Sequence, residues 1–334
     1  MKAWRIPAFG IDKLSLDEVP APQPGPGQVV LAVHAVSLNY RDLLTVKGTY
    51  NPKLQPHRIP CSDGAGTIAA IGQGVTRVAV GDRVAGIFFQ HWLDGDPAAD
   101  KFKGALGGDI DGTLAEYILL KEAGLVRIPD YLSFEEAATL PCTGVTAWNA
   151  LGRANLKPDS TILIQGTGGV SVFALQFAKL RGLRVLGISS SEAKLQRACS
   201  LGLDKGLDYG ETSEWDRWVL EQTNGQGVDL VVEVGGVGTL PRSLRAVKMG
   251  GVIAQIGVLS GPADPIPIPL ILHKQIRIEG IYVGSRHDFE EMNKAIAAAE
   301  LHPVFAARPW TEAREAFREM ESATHFGKLV LKVQ

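Results

Sequence analysis

The strongest chemical signal in this 334-residue sequence is a glycine cluster set between a strand-like and a helix-like segment. Gln165-Gly-Thr-Gly-Gly-Val-Ser171 follows the apolar run Thr161–Gln165. It opens Val170–Leu180, where Val170, Phe173, Ala174, Phe177 and Ala178 recur at helical spacing. Anion binding needs this context. Gly166 permits a tight turn and Gly168 lets backbone approach a phosphate. Gly169 and Val170 begin the helix whose unsatisfied N–H groups and positive dipole end face the anion. Ser171 stands where G-x-G-x-x-G has its third glycine, and is small enough for the same close helix–strand packing. The pattern predicts the pyrophosphate site of a dinucleotide. The plainer reading is a tight turn without a ligand.

The second strand, Arg184–Ile188, leads into Ser189-Ser190-Ser191-Glu192-Ala193-Lys194. A reader of NAD carries Asp or Glu here to accept from the ribose 2′-hydroxyl. Ser189, Ser190 and Lys194 instead donate, which suits a 2′-phosphate and predicts NADP(H) over NAD(H). Helix capping alone would also account for the serines, and Ser191 is the expected cap. Elsewhere, Asn39 and Asp42 lie just past the β-prone segment Val29–Val36, a place for site residues or for ordinary turn chemistry. Tyr50, Phe88, Phe89, Trp92 and Tyr282 are candidate walls for a flat apolar substrate, although aromatic residues more often fill cores. The polar, Gly-rich stretch Leu93–Asp111 reads as a lid or contact loop.

The elements that must position these residues change character along the chain. Up to residue 120 the segments are short and β-prone: Lys2–Ile6, Leu14–Val19, Val29–Val36, Gly64–Ile71, Arg83–Phe89 and Leu114–Leu120. Ser133-Phe-Glu-Glu136 has the form of a capping box. Beyond it strands and helices alternate, which predicts a parallel sheet with helices on both faces. At roughly 100–200 residues per domain the length fits two domains. The 34 basic and 36 acidic residues give a net charge of −2, with no electrostatic footprint for nucleic acid or an anionic membrane. Three scattered cysteines suggest no disulfide framework, and no long apolar run suggests a membrane span. A cytoplasmic setting is the expectation.

Several motifs occur together in order: Pro24-Gly-Pro-Gly-Gln-Val-Val30, Ser37-Leu-Asn-Tyr-Arg-Asp42, Pro60-Cys-Ser-Asp-Gly-Ala-Gly66, Val80-Gly-Asp-Arg-Val84, Gly112-Thr-Leu-Ala-Glu-Tyr117, Pro141-Cys-Thr-Gly-Val-Thr146 and Gly166-Thr-Gly-Gly-Val170. With them the chain resembles, over essentially its full length, the medium-chain dehydrogenase/reductase superfamily and its zinc-free quinone oxidoreductase-like branch. The resemblance implies an α/β chain: a GroES-like β-barrel catalytic domain over 1–124, a Rossmann doubly wound parallel-sheet domain over 125–269, and a return over 270–334. It also implies a site in the cleft between domains and a homodimer joined through Rossmann sheet edges. It places Lys194 and Tyr209 at the NADP 2′-phosphate and Thr146 near the nicotinamide. Gly235, Ile256, Gly257, Ile281 and Val283 fall in segments lining ribose and nicotinamide, and Gly327 and Lys328 in a C-terminal segment approaching the cofactor.

The zinc members of that superfamily hold their metal through positions that fall on Asn39, Ser62 and Cys142, with Asp63 beside them; their proton-relay hydroxyl falls on Arg41. Neutral Asn and Ser are poor zinc ligands. No Cys lies within Phe88–Gly112, where a structural zinc would be held. The seven His show no i, i+4 pair. No metal is expected. Without such a Lewis acid, reduction of a quinone, enone or other activated alkene by NADPH remains feasible, with Asn39 and Tyr40 as donors to the developing oxyanion and Asp42 beside them. The partner implied is a small-molecule substrate. Alternatives are an NAD(P)-dependent alcohol dehydrogenase and a dinucleotide-binding protein without turnover.

Overall fold

Gly66 marks where the first sheet is tightest. The strands Gln28–Ser37 and Asp63–Ile71 pair antiparallel with Val33 opposite Gly66, and the register shifts between Val33 and Ala35. A Cβ on Gly66 would overlap the Ala32 carbonyl. The computed structural model describes residues 1–261 and 265–334. They form two compact units, Met1–Val145 with Val283–Gln334, and Thr146–Tyr282.

In the first unit a seven-stranded sheet runs Phe305–Pro309, Lys328–Lys332, Gln28–Ser37, Asp63–Ile71, Arg83–Gly86 and Leu125–Arg127, with Tyr117–Lys121 also paired to Gln28–Ser37. Its alternating inward residues, among them Leu31, Val33, Ile68, Val84, Ile118, Leu329 and Leu331, pack with Trp4, Phe317 and Met320. Burying such side chains is worth roughly 1.5–3 kcal/mol each before chain entropy is set against it.

In the second unit six parallel strands lie in the order Lys205–Asp208, Arg184–Ser189, Thr161–Gln165, Val228–Glu233, Val247–Gln255, Arg277–Gly280. The first strand of the unit sits centrally and the order reverses beside it, the doubly wound arrangement whose ligands bind at the carboxyl ends of the strands. Helices cover the sheet, so its central strands Thr161–Gln165, Arg184–Ser189 and Val228–Glu233 are largely apolar and buried; Leu163, Leu186, Val231 and Ile253 share one core with Trp215, Val219 and Leu244.

The units exchange chain at 145/146 and 282/283, later than the 124/125 and 269/270 expected from sequence. Leu125–Arg127 pairs with Arg83–Gly86, and Phe134 stacks on His34 at 4.3 Å, so both segments stay with the first unit. Arg277–Gly280 extends the parallel sheet, so it stays with the second. The helices Tyr40–Val46 and Ile268–Lys274 and the edge strands Lys205–Asp208 and Phe305–Pro309 were not anticipated.

Gly66→Ala is expected to cost about 3 kcal/mol or more, read as a lower urea midpoint. Gly152→Ala, at a helix end where a Cβ meets nothing within 4 Å, is the control and should stay within about 1 kcal/mol of the parent. Equal midpoints for the two variants would contradict the close approach.

Candidate functional site

In the second unit the glycine-rich turn has the expected form. Gly166 adopts φ +69°, and its N–H donates to the Ile188 carbonyl at 2.6 Å. Gly168 is the extended cap of the helix Gly169–Leu180, and a Cβ on either Gly166 or Gly168 would project into open space. That open backbone at a helix N-terminus fits a pyrophosphate. Ser171 is buried, and its hydroxyl donates to the Gln165 carbonyl at 2.6 Å, which explains how a polar side chain replaces the third glycine.

One strand over, Ser189 is buried at the end of its strand, Ser190 is exposed, and Ser191 caps the helix Glu192–Ser200 by accepting from the Lys194 N–H. Tyr209 is half-exposed, its N–H bonded to the Ser189 carbonyl at 2.9 Å. Burial, and then the charge of Arg197, hold the Lys194 ammonium below the usual lysine range. Arg197 therefore adds a second cation near Lys194. The sequence reading missed it, although its i, i+3 spacing was visible. Of the remaining expected nucleotide contacts, Thr146, Val170, Gly235, Ile256, Gly257 and Ile281 belong to this unit, while Val283, Gly327 and Lys328 belong to the first. Val283 holds φ +61°, an outlying conformation for a β-branched residue.

In the first unit three adjacent strands bring a polar cluster together. Ser37 pairs with Asp63 and Val330, so Asn39, Ser62 and Lys328 lie at one level. The buried Lys328 ammonium donates to the Leu38 carbonyl and to Asn39 Oδ1, both at 2.5 Å. Asn39 Nδ2 donates to Ser62 Oγ at 3.2 Å, and Ser62 donates to Asp63 Oδ1 at 2.6 Å. Asp63 Oδ2 accepts the Cys142 N–H at 3.0 Å, presented by the wide π-turn Leu140–Gly144. Burial raises the Asp63 carboxyl to about 6, against the pull of Lys328. Burial, reinforced by Asp63, pushes the Cys142 thiol well up, so the sulfur is protonated. Burial also lowers Lys328 and is opposed chiefly by Asp63.

The expected oxyanion donors fare differently. Asn39 is buried and its amide is spent inside this cluster. Asp42 closes a helix start instead: its carboxylate accepts the Asn39 N–H at 2.9 Å and pairs with Arg41 at 3.2 Å. Tyr40 is 39% exposed and lies within electrostatic reach of the Lys47 ammonium. The supposed apolar walls also divide. Phe88, Phe89 and Trp92 are buried in a ring cluster with Phe102, centroids 4.6–6.5 Å apart along its contacts, which is a core role. The Arg41 guanidinium lies over the Phe88 and Tyr50 rings at 4.9 and 5.2 Å. Tyr50 and Tyr282 are half-exposed. A separate open groove of about 940 Å³ in the first unit, flanked by Arg5, His57, Arg58 and Tyr117, contains none of the expected site residues.

Comparison with known proteins agrees with both halves of this picture. Residues 25–130 match the alcohol dehydrogenase GroES-like domain, and residues 169–298 match the zinc-binding dehydrogenase family. The chain belongs to the medium-chain dehydrogenase/reductase superfamily. It is 42% identical to a zinc-type alcohol dehydrogenase-like protein of Schizosaccharomyces pombe, over 97% of this chain and 96% of that one. It is 31% identical to an acryloyl-coenzyme A reductase of Metallosphaera sedula, over 94% and 95%. A quinone oxidoreductase structure from Pseudomonas syringae superposes with a TM-score of 0.85 at 27% identity, over 99% of each chain. The protein is an NAD(P)-dependent oxidoreductase of α/β fold.

Zinc members of the medium-chain dehydrogenase/reductase superfamily need thiolate and imidazole at the positions of Asn39, Ser62 and Cys142. Here those positions supply an amide already bonded to an ammonium, a hydroxyl already bonded to a carboxylate, and a neutral thiol. The set does not fit zinc. No cluster of three His, Cys, Asp or Glu able to hold a metal occurs among the described residues.

The Asp63 carboxyl fixes a pH dependence. Unfolded, it releases its proton near pH 4; folded, it holds it to about 6. Across that window the native state binds the extra proton, so stability falls as pH rises, by on the order of 3 kcal/mol for this group. Thermal unfolding from pH 4 to 7.5 should show a steeper decline for the parent than for Asp63→Asn. Parallel profiles would show that Asp63 titrates normally.

Proposed function

We propose that the protein is an NADPH-dependent reductase of quinones, enones or other activated alkenes, acting without zinc. The observation that carries this reading is the first unit's polar cluster, whose donors are neutral and already bonded around the Lys328 ammonium. A carbonyl substrate gains no Lewis acid from such a set, and an alcohol gains no metal to stabilise its alkoxide. A conjugated acceptor needs neither. NADPH, which the glycine-rich turn and Lys194 would hold, would supply hydride to the β-carbon and leave as NADP⁺; the charge would develop on the distant carbonyl oxygen and be discharged by a solvent proton taken up at the α-carbon. A positioned hydrogen-bond donor then suffices, and Tyr40 is the donor that the Asn39–Asp42 segment still offers. Reduction of a carbon–carbon double bond is also what the name of the acryloyl-coenzyme A reductase relative describes. Alcohol oxidation is the second reading, favoured by the alcohol dehydrogenase names among the relatives.

NADP(H) is favoured over NAD(H) by the serines ending the strand Arg184–Ser189 and by the adjacent pair Lys194 and Arg197. A homodimer is supported by the sheet edge: Arg277–Gly280 is an outer strand, with Ile278 and the nearby Ile268 and Leu272 exposed.

Consumption of NADPH in the presence of quinones, enones and alkenals, with and without chelator, tests the reaction. Chelator-insensitive turnover of these acceptors is expected, together with little oxidation of simple alcohols. Turnover confined to alcohols and abolished by chelator would overturn the proposal. For the cofactor, Lys194→Ala should raise KM for NADPH by about tenfold, the equivalent of one lost charge-assisted contact, and leave NADH nearly unchanged. Equal loss for both nucleotides would refute the role given to Lys194.

A further inference from the structure

Glu233 ends the fourth strand of the parallel order and is completely buried. It has no ion-pair partner among the described residues. Five donors converge on its carboxylate instead. Oε1 accepts the N–H groups of Gly235 and Gly236 at 2.9 and 3.0 Å and the Thr239 hydroxyl at 2.5 Å. Oε2 accepts Gln165 Nε2 at 2.7 Å and the Ser243 hydroxyl. Burying an unpaired carboxylate is costly, and an apolar side chain of similar size would fill the space more cheaply. What the carboxylate supplies is geometry.

The carboxylate holds two turns directly, and the Glu233 main chain joins a third to them. Gln165 directly precedes the glycine-rich turn at Gly166, and its Oε1 in addition accepts from Val234 and Gly235 at 3.3 and 3.4 Å. The turn after Glu233 is held from within by the Gly235, Gly236 and Thr239 contacts. The Glu233 carbonyl accepts Ile256 and Gly257 N–H at 2.8 and 3.2 Å, and Ser260 donates to the Gly235 carbonyl at 2.6 Å, which ties in the turn after Val247–Gln255. A Cβ on Gly257 would overlap the Val234 carbonyl, so this contact is close. All three turns lie at the carboxyl ends of the strands, where doubly wound sheets bind ligands.

We infer that Glu233 is a positioning residue that sets these three turns relative to one another, and through them the nicotinamide half of the bound dinucleotide. The inference rests on the dinucleotide reading. It predicts an effect concentrated in one half of the ligand, because none of the hydrogen bonds just described to Glu233 or Gln165 comes from Ser189, Ser190 or Lys194.

Binding of NADPH, NADH and 2′,5′-ADP to the full-length protein, followed by calorimetry, tests it. Glu233→Gln puts an NH₂ group among donors, and flipping Gln165 to accept from it would sacrifice the Val234 and Gly235 bonds. NADPH affinity should fall roughly tenfold or more, while 2′,5′-ADP stays within about twofold. Ser243→Ala removes one donor to the carboxylate together with the acceptor of a 2.8 Å bond from Gln165 Nε2, and should weaken NADPH about threefold in the same selective way, which keeps the test open if the glutamine variant does not fold. Unchanged NADPH affinity in both variants, or equal weakening of NADPH and 2′,5′-ADP, would overturn the positioning role. A parent protein that binds neither NADPH nor NADH would instead overturn the dinucleotide reading itself, before any variant is compared.

Discussion

A buried ammonium must be met by oxygen, and the first unit is arranged around that requirement at Lys328. Its two hydrogen bonds go to neutral acceptors, the Leu38 carbonyl and the Asn39 amide. The balancing negative charge, Asp63, stands one link further away, through Asn39 and Ser62. Truncating such an ammonium would leave a buried carboxyl without its counter-charge, whereas the intact chain leaves each partner satisfied. Because Lys328, Asn39 and Ser62 sit at the ends of adjacent strands, sheet register decides whether the cluster exists. A one-residue slip would turn these side chains to the opposite face.

The second unit solves the mirror problem. There the buried group is an anion, Glu233, and it is met by backbone and hydroxyl donors and by the amide of Gln165. In both places charge is buried at strand ends and compensated by hydrogen bonds to neutral groups. Such groups are fixed in direction by the main chain or by short side chains. They cost rigidity in the turns but hold position well, which is what a ligand-facing turn requires.

The extent to which this was readable from sequence follows the range of the interactions. The glycine turn, the Ser133 box, the Ser191 cap and the serines after Arg184–Ile188 are local patterns, and each was placed correctly. Tyr40–Val46 was also signalled locally, by Asn39 and Asp42 at the spacing of a capping box, but Asn and Asp read equally well as turn residues. The edge strands Lys205–Asp208 and Phe305–Pro309 are short and lack clean alternation, and pairing alone defines them. Lys328 and Asn39 lie 289 positions apart, and nothing at either position announces the other. For Phe88, Phe89 and Trp92 aromatic character is legible in the sequence but burial is not, since the rings that Phe89 and Trp92 meet include Phe102, ten or more positions on.

The buried cluster also bears on which acceptors the proposed chemistry can take. A metal pulls electron density from an oxygen before hydride arrives, so unconjugated carbonyls are open to it. An amide and a hydroxyl locked into a closed chain of hydrogen bonds cannot be redirected toward a substrate without breaking bonds to Lys328 or Asp63. The activation must therefore come from the substrate, through conjugation that spreads the incoming charge onto an oxygen some bonds away. Substrate scope on this proposal would be set by electron affinity more than by the identity of any single polar contact.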